Sequence, residues 1–466
     1  MKAAQYDMTV GNPTKIILNF TLPIFIGNVF QQFYNMADAV IVGKFVGTKA
    51  LAAVGSTGTI MFLIYGFVVG MTAGFTVLTA QKFGAGDLPA MRRTVAGASI
   101  LSLIIGLILT AAFMLLMEPW LHLMNTPSDI YADAYSYIMI ISGGILAQML
   151  YNLLASILRA LGNSKVPLYF LIFSALLNIA LDLFFIIVFH MGAAGAAIAT
   201  IISQGVSGLL CLVYIIKKVP ILHMTREDWH PEGALLKRQM QIGIPMALQY
   251  SITAIGSVLL QTAINGFGSL IVASVTAANK VQSFVHLPFS TLGVTLSTWC
   301  GQNMGARDYD RVRRGFWDGM AVALVYSVLM GVVMYFLGEY VSLIFIDKDE
   351  TRLVELLSYV REFLRKNCIL YIPLGILTVC RFSLQGLEHG FTAMFAGVFE
   401  MVARSVMALW AVKFFGFDAV CYANPAAWIA ACILLVPACL VVMPKVRRRL
   451  KAEKAQALST GGNNGQ

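Results

Sequence analysis

The sequence carries little charge for its length. Only 12% of its 466 residues are charged, whereas 58% are hydrophobic and the mean hydropathy is +0.77. Ordinary soluble domains contain about 25% charged residues, so this chain has too few polar side chains to cover a surface in water. The composition therefore excludes a soluble domain and predicts a protein that lies in a lipid bilayer.

Sequence motifs of metal sites, ATP hydrolysis and prenyl transfer are also missing. The seven cysteines form no CxxC pair and the six histidines are scattered near loops, so we expect packing roles for the cysteines and no metal site. The pattern GxxxxGK[ST] is absent, which argues against ATP hydrolysis by this chain. No Asp-rich DDxxD motif is present, which argues against an intramembrane prenyl transferase. We expect no enzymatic activity and no bound cofactor.

Long apolar runs recur along the chain, bounded by glycine, proline and charge. A run of about 20 to 28 residues can cross a hydrocarbon core about 30 Å thick as a helix. The pattern predicts an all-α integral membrane protein with about twelve transmembrane helices. The predicted spans lie near residues 15 to 42, 51 to 80, 94 to 117, 130 to 157, 166 to 189, 193 to 216, 240 to 266, 271 to 299, 315 to 337, 354 to 384, 391 to 414 and 421 to 443.

The first half of the chain is repeated in the second half. VGTKALAAV from Val46 matches FGSLIVASV from Phe267, and AQKFGAGDLPAMRR from Ala80 matches GQNMGARDYDRVRR from Gly301, both at the same offset along the chain. Pro23 and Pro245 lie in the first span of each copy and extend the match at nearly the same offset. Such repeats are typical of transporters with a binding site near the bilayer midplane.

The repeat also predicts the domain organisation. We expect an N-lobe at 1–216, a cytoplasmic linker at 217–238, a C-lobe at 239–443 and a basic, disordered cytoplasmic tail at 444–466.

Positive charge follows the predicted topology. The net charge is +10, but the Lys and Arg residues are concentrated in the even-numbered connections and after the last span, and not on one helix face. This distribution argues against a nucleic-acid partner and marks the cytoplasmic side of the membrane. Both termini are predicted to be cytoplasmic in the cell (inner) membrane. The first span lacks a cleavage site and is predicted to be retained.

Two carboxylates lie inside predicted spans. Asp38 is in the first span and Asp182 is in the fifth, and each is placed roughly 8 to 12 Å below the outer surface at about 1.5 Å per residue. An acid within a membrane helix costs about 2.5 to 3.5 kcal/mol and usually has a function. Asn178, one helical turn before Asp182, and Thr200 in the next span fall at the same level.

These four oxygen-bearing side chains are compatible with more than one role. Two carboxylates at one depth could share a proton, and the whole cluster could bind a hard cation such as Na+. Alternatively, each group satisfies a neighbouring helix separately, which fits Asn178 and Thr200 better than it fits the two acids. For the acids we favour a function in H+ or Na+ coupling.

Other polar residues inside the spans are weaker candidates. Gln31 and Tyr34 lie on the same helical stripe as Asp38, which predicts a wet substrate cavity, although a polar seam between helices would give the same pattern. Gln148 and Asn152 in the fourth span are cavity candidates of the same kind.

The second copy does not repeat the acids. Leu260 occupies the position that corresponds to Asp38. Glu400 and Arg404 in the eleventh span are spaced as an i, i+4 pair, which we interpret as a mutually neutralising structural ion pair.

With these features together, the chain resembles the multidrug and toxic compound extrusion (MATE) family, in its bacterial branch. The resemblance covers residues from about 12 to 443, and the segments NPTKIILNFTLPIFIGNVFQQFYNMADAVIVGKFVG and AQKFGAGD carry it. It implies twelve helices in two pseudo-symmetric six-helix lobes arranged as a V. It also implies a coupling-ion site at Asp38, Asn178, Asp182 and Thr200, a contribution from the backbone carbonyl of Ala196, and a bend or hinge at Pro23.

These observations lead to a functional prediction. We expect a monomeric secondary multidrug efflux transporter that exchanges amphipathic, cationic organic compounds for H+ or Na+. Some MATE proteins also use acids in the seventh and tenth helices, and this sequence lacks them, which counts against coupling in the C-lobe. A related flippase for lipid-linked precursors is the alternative; it would need a basic cleft, for which Arg404 beside Glu400 is thin support.

Overall fold

The protein is built from helices. The computed structural model describes residues 7–124, 126–346 and 352–461, and no strand occurs in these ranges. The α-helices, numbered in chain order, are α1 Pro13–Ile41, α2 Thr48–Ser56, α3 Gly58–Gly84, α4 Leu88–Leu123, α5 Tyr131–Gly143, α6 Ile145–Ala160, α7 Lys165–Leu183, α8 Gly192–Lys218, α9 Gly233–Asn265, α10 Ser269–Gly305, α11 Tyr309–Ser342, α12 Leu353–Cys368, α13 Tyr371–Gly386, α14 Gly390–Val406, α15 Val412–Phe415 and α16 Phe417–Gly461.

The helices agree with the predicted membrane spans. Within the described ranges, nine helical segments are long and apolar enough to cross a membrane, and two bent pairs, α5 with α6 and α12 with α13, raise the number to eleven. The bends are 46° and 50°. The remaining predicted span, 271–299, corresponds to α10, which has 37 residues but whose most apolar stretch of 18 residues is less hydrophobic than those of the other spans. The prediction of an all-helical membrane protein is confirmed.

The sequence repeat is visible in the backbone. The matching residues Asp87 and Asp308 cap the first turns of α4 and α11, each by accepting a hydrogen bond from a backbone N–H of the first turn, at 3.1 Å and 3.0 Å. The preceding residues, Gly86 and Arg307, both have positive φ angles, 72° and 55°. Glycine tolerates this conformation better than arginine, so the turn is retained in the second copy although its glycine has been lost.

After the capping residues Asp87 and Asp308, matching residues of the two copies are separated by slightly more positions along the chain. Gly162 and Glu388, with φ of 80° and 66°, occupy matching turns, as do His190 and Gly416, both with φ of 54°. The two pairs of turns share one offset, so the later helices of the two halves correspond at that larger spacing.

The chain forms two compact units. The first part of α1 belongs to the second unit, and the first part of α9 belongs to the first unit. Leu22–Ala247 forms the body of the first unit, whereas Met8–Thr21 belongs to the second unit with the chain from Leu248 on. The transitions lie close to Pro23 in α1 and Pro245 in α9. Proline removes a helical hydrogen bond, so each long helix passes from one unit to the other where its backbone ladder is interrupted.

Arg311 holds the N-terminal segment in the second unit. Its guanidinium donates to the carbonyl oxygens of Met8 at 2.8 Å and Gly11 at 2.9 Å, and it stacks on the ring of Trp299 at 5.0 Å. A planar cation with several donors can cap two carbonyls and an aromatic face at once. Met8 is fully buried as a result.

The linker predicted at 217–238 docks on the first unit through Asp228. Arg92 Nε donates to Asp228 Oδ2 at 3.0 Å, and the backbone N–H and hydroxyl of Thr225 donate to the same oxygen at 2.9 Å and 3.0 Å. Burial raises the pKa of Asp228, but the hydrogen bonds from Thr225 and Arg92 outweigh burial and lower it below its ordinary value. The ionised carboxylate therefore stabilises the folded linker.

Asp228→Ala is expected to lower the free energy of unfolding by about 2 kcal/mol, because Arg92 and Thr225 lose their common acceptor. The measurement is thermal unfolding of the purified protein in detergent, with the exposed neighbour Glu227→Ala as the control, expected to change little. The contribution of Asp228 is complete above the ordinary carboxyl pKa of about 3.9 and is lost as the pH falls through its lower folded pKa. Equal stability of the two variants would contradict this role.

The C-terminal tail differs from its prediction. We predicted disorder for residues 444–466, but α16 continues through Pro444 to Gly461, and the residues beyond it lie outside the described part of the chain. Val446 and Leu450 are only 4% and 2% exposed, and Arg307 pairs with Glu453 at 3.7 Å. The basic composition concealed an i, i+4 apolar stripe, and burial of that stripe against the second unit stabilises the helix.

Candidate functional site

The two acids predicted from the sequence lie near the ends of their helices in the first unit. Asp38 is in the last turn of α1, and Asp182 is the penultimate residue of α7. Each helix continues into a π-helical turn, Val42–Val46 after α1 and Phe184–Val188 after α7. π-Helical turns widen the backbone and occur frequently at functional sites. Both acids thus lie where the helix geometry changes.

Several side-chain oxygen atoms at these positions are buried and accept no hydrogen bond from the residues that the structure describes. Asp182 is 0% exposed and neither of its carboxylate oxygens has a partner among the described residues. Oδ1 of Asp38 and Oδ1 of Asn178 are likewise buried and unpartnered within the described chain. The carboxylates of Asp38 and Asp182 are within electrostatic reach of one another. Unsatisfied buried oxygens are rare in proteins and call for an explanation.

Asn178 and Thr200 are brought together, as the sequence pattern predicted. The Asn178 amide lies 3.4 Å from the Thr200 hydroxyl, and both residues are buried. This contact uses the nitrogen of Asn178 and leaves its oxygen free to accept. Ala196, one turn before Thr200 on α8, is fully buried.

Two further residues of this region were missed by the sequence analysis. The Tyr137 hydroxyl on α5 is within electrostatic reach of both Asp38 and Asp182, and the residue is 4% exposed. Gln204 on α8 hydrogen-bonds Tyr34, and its Oε1 is buried without a partner in the described chain. Gln204 lies one turn after Thr200, so helical spacing could have identified it, whereas Tyr137 had no such signal.

The predicted cavity residues fall into two groups. Gln31 Nε2 donates to the Tyr65 hydroxyl at 3.0 Å, and Tyr34 hydrogen-bonds Gln31, so these residues form one network next to the acids. Gln148 and Asn152 on α6 are buried at 3% and 8% exposure. Asn152 Nδ2 donates to the Gln148 carbonyl at 2.8 Å, a local bond within the helix.

The donor set fits a proton or a small hard cation. Carboxylate, amide and hydroxyl oxygens are the ligands that Na+-like ions prefer. No group of three or more His, Cys, Asp or Glu side chains suitable for a metal ion occurs in the part of the chain that the structure describes. Oxygen ligands of this kind suit a hard cation better than a transition metal, which prefers nitrogen and sulfur ligands.

The ion pair predicted between Glu400 and Arg404 includes a third residue. Arg404 Nη2 lies 3.4 Å from Glu400 Oε2, as the i, i+4 spacing indicated. Arg381, from α13, contacts the other carboxylate oxygen. One carboxylate is therefore shared by two guanidinium groups, and the expected mutual neutralisation is incomplete. Sequence spacing could not reveal this contact because Arg381 comes from another helix.

Comparison with known proteins identifies the family. A family model described as MatE matches residues 23–184 and 245–410, which are the two copies of the repeat. The chain is 30% identical over 417 residues, 89% of each chain, to "Probable multidrug resistance protein YpnP" of Bacillus subtilis strain 168. It is 25% identical over 349 residues to "Probable multidrug resistance protein NorM" of Thermotoga maritima, covering 73% of this chain and 74% of that protein.

Comparison with solved structures points to the same family. A solved outward-facing structure of a multidrug resistance MATE family transporter of the MOP superfamily matches with a TM-score of 0.87 at 22% identity, covering 97% of this chain and 99% of that chain. These matches are named as multidrug resistance proteins and as a multidrug resistance transporter, and they do not favour the flippase alternative. From the repeat, the multi-pass helical fold and the family match together, the chain belongs to the MATE family of multidrug efflux transporters.

Proposed function

We propose that this protein is a secondary antiporter that exports amphipathic, cationic organic compounds in exchange for H+ or Na+. The observation that carries the proposal is the group of buried, unpartnered oxygens of Asp38, Asn178 and Asp182 within the described chain. Two carboxylates within electrostatic reach of one another repel when both are ionised. A proton or a cation bound between them relieves that repulsion and supplies the missing partner.

Ion binding at this site would alter the balance between transport states. Occupation changes the charge of the first unit and the hydrogen bonding around Asp38 and Asp182, so a conformation that binds the ion more tightly gains population. Thr200 and the backbone carbonyl of Ala196 complete the proposed ion site.

The remaining predicted residues have roles in the same proposal. The network of Gln31 and Tyr34 links the acids to the proposed substrate cavity, to which we also assign Gln148 and Asn152. Pro23, at the transition of α1 between the units, is the proposed hinge.

The energy of such an exchange is sufficient for drug export. When one monovalent cation leaves for each H+ or Na+ that enters, no net charge crosses the membrane, and a tenfold gradient of the coupling ion contributes about 1.4 kcal/mol, enough for about tenfold accumulation of the substrate. A second coupling ion per cycle would add about 2.3 kcal/mol for each 100 mV of membrane potential. We propose that the protein works as a monomer in the cell (inner) membrane with both termini in the cytoplasm. The Lys and Arg residues of the even-numbered connections and of the tail support this orientation.

The test is efflux of ethidium from proteoliposomes that contain the purified protein. A pH gradient and a Na+ gradient are imposed separately, and liposomes without protein provide the background. We expect one of the two gradients to drive efflux at several times the background rate, which would identify the coupling ion. No efflux under either gradient would contradict the proposal.

A further inference from the structure

The second unit contains a buried cluster with excess positive charge, which we call the arginine cluster: Arg381, Glu400 and Arg404. Arg381 and Arg404 both contact the Glu400 carboxylate, one at each oxygen. Their side chains are only 10% and 7% exposed, and that of Glu400 is 3% exposed. Two guanidinium groups and one carboxylate leave one uncompensated positive charge, because an arginine side chain does not lose its proton in proteins.

The remaining contacts of the cluster are made by neutral groups. Arg404 Nε donates to the side-chain oxygen of Asn424 at 3.1 Å, and its Nη1 lies 3.5 Å from the carbonyl of Thr253. Nε of Arg381 is buried and has no hydrogen-bond partner among the described residues. At least one guanidinium donor of the cluster is therefore left without an acceptor in the described part of the chain.

The surrounding helices do not provide a second acid. The sequences of α9, α10 and α13 contain no Asp or Glu, and the acids of α16 are in its first turn and at Glu453. In the neighbouring α11, Glu339 pairs with Arg361 and Asp318 accepts a hydrogen bond from Thr14. A buried charge without a partner is costly, so a cluster of this kind is expected to have a function or a ligand.

The repeat relates the arginine cluster to the ion site of the first unit, with the opposite charge. At the offset shared by the later turns of the two halves, Arg404 corresponds to Asn178 and Glu400 corresponds to Ser174. Arg404 lies shortly before a π-helical turn, Met407–Ala411, as Asp182 lies just before the π-helical turn of the first unit. Matching helices of the two halves thus carry acids in the first unit and an excess of positive charge in the second.

We propose that the arginine cluster binds the carboxylate or phosphate group of an anionic or zwitterionic amphipathic substrate. The proposal rests on the proposed function, because it extends the class of exported compounds beyond simple cations. A guanidinium presents planar, paired donors that match a carboxylate or phosphate, and burial strengthens that attraction. Glu400 holds both arginines in position and partly neutralises them, so that the bound group can leave again.

The test is binding of fluorescein, which carries a carboxylate, to the purified full-length protein in detergent, measured by fluorescence anisotropy with a detergent blank. Arg381→Gln leaves one neutral pair and is expected to weaken binding about tenfold or more. Glu400→Gln removes the only acid of the cluster and is expected to tighten binding by a similar factor. Arg361→Gln is the matched control, because it removes an arginine whose side chain is half exposed in an ion pair with Glu339, and it should leave binding unchanged.

Competition then separates the two kinds of anion. Displacement of fluorescein by millimolar acetate and not by phosphate would assign a carboxylate, and the reverse would assign a phosphate. Loss of binding with Arg381→Gln, gain with Glu400→Gln, or both, in variants that elute as monodisperse protein, supports the proposal. Equal affinity for fluorescein in the wild type and both variants, or no saturable binding to the wild type, would show that the cluster is a structural ion pair.

The outcome is distinguishable from failure of the proposed function. Fluorescein binding needs no gradient, so it can be observed even when ethidium efflux is not coupled to H+ or Na+. Conversely, coupled ethidium efflux with unchanged fluorescein binding in both variants would leave the antiport proposal in place and overturn only the anion site.

Discussion

Replacing Asp38 with Asn is expected to lower gradient-driven ethidium efflux by about 30-fold or more, because removing one member of a buried charged interaction costs about 2 to 5 kcal/mol. The substitution preserves the size of the side chain and removes its charge, so the folded structure should persist while the ion loses a carboxylate ligand. Asp182→Asn should have a comparable effect, since neither oxygen of Asp182 has a partner within the described chain. The measurement is the initial rate of efflux from proteoliposomes at equal protein content.

The matched control is Asp133→Asn. Asp133 is in the first turn of α5, in the same unit as the acids, and it is exposed. This variant makes the same chemical change away from the site and should retain efflux near the wild-type rate. If Asp38→Asn and Asp182→Asn retained coupled efflux as fully as Asp133→Asn, the proposed ion site would be wrong.

Gly74→Ala is expected to destabilise the first unit by about 3 kcal/mol, at the upper end of the usual cost of overpacking. A methyl group at Gly74 would lie 2.5 Å from Cα and 3.0 Å from N of Gly243, which is in the part of α9 that belongs to the first unit. Both atoms are backbone atoms, so no rotamer change can relieve the clash and the two helices must separate. The observable is a lower unfolding temperature, or a smaller monodisperse peak, in size-exclusion chromatography of heated samples.

Gly55→Ala is the control for this substitution. Gly55 lies in α2, and apart from its chain neighbours and the backbone of its own helix no heavy atom of the described chain comes within 4 Å of the position that a methyl group would occupy. Alanine has a higher helix propensity than glycine by about 1 kcal/mol, so this variant should be as stable as the wild type or slightly more stable. A Gly74→Ala protein as stable as Gly55→Ala would show that α3 and α9 do not pack as closely as the structure indicates.

The membrane fold could be predicted because bilayers impose a strong rule on sequence. Backbone groups in lipid must be satisfied within a helix, so each span appears as a long apolar run bounded by polar residues. The rule was least clear for α10, where Lys280, Gln282 and His286 interrupt the apolar pattern. It did not apply to the tail, where Val446 and Leu450 stabilise a helix that the basic composition concealed.

The candidate ion site could be predicted in part. Asp38 and Asp182 stood out because an acid within a membrane span is costly, and Asn178 could be placed one turn from Asp182 by helical spacing. Tyr137 was missed because a tyrosine in an apolar helix is common and carries no such cost. The roles of all these residues in coupling remain predictions that the efflux measurements test.

The sequence by itself determined the span pattern, the internal repeat and the two acids, because these follow from composition and from regular spacing along one chain. Only the tertiary structure decided which helices exchange between the units, and only it brought Arg381 of α13 to Glu400 of α14. Contacts between different helices depend on how those helices pack, and many packings are compatible with the same apolar pattern. The charge of the arginine cluster therefore became apparent only when its three side chains were placed together.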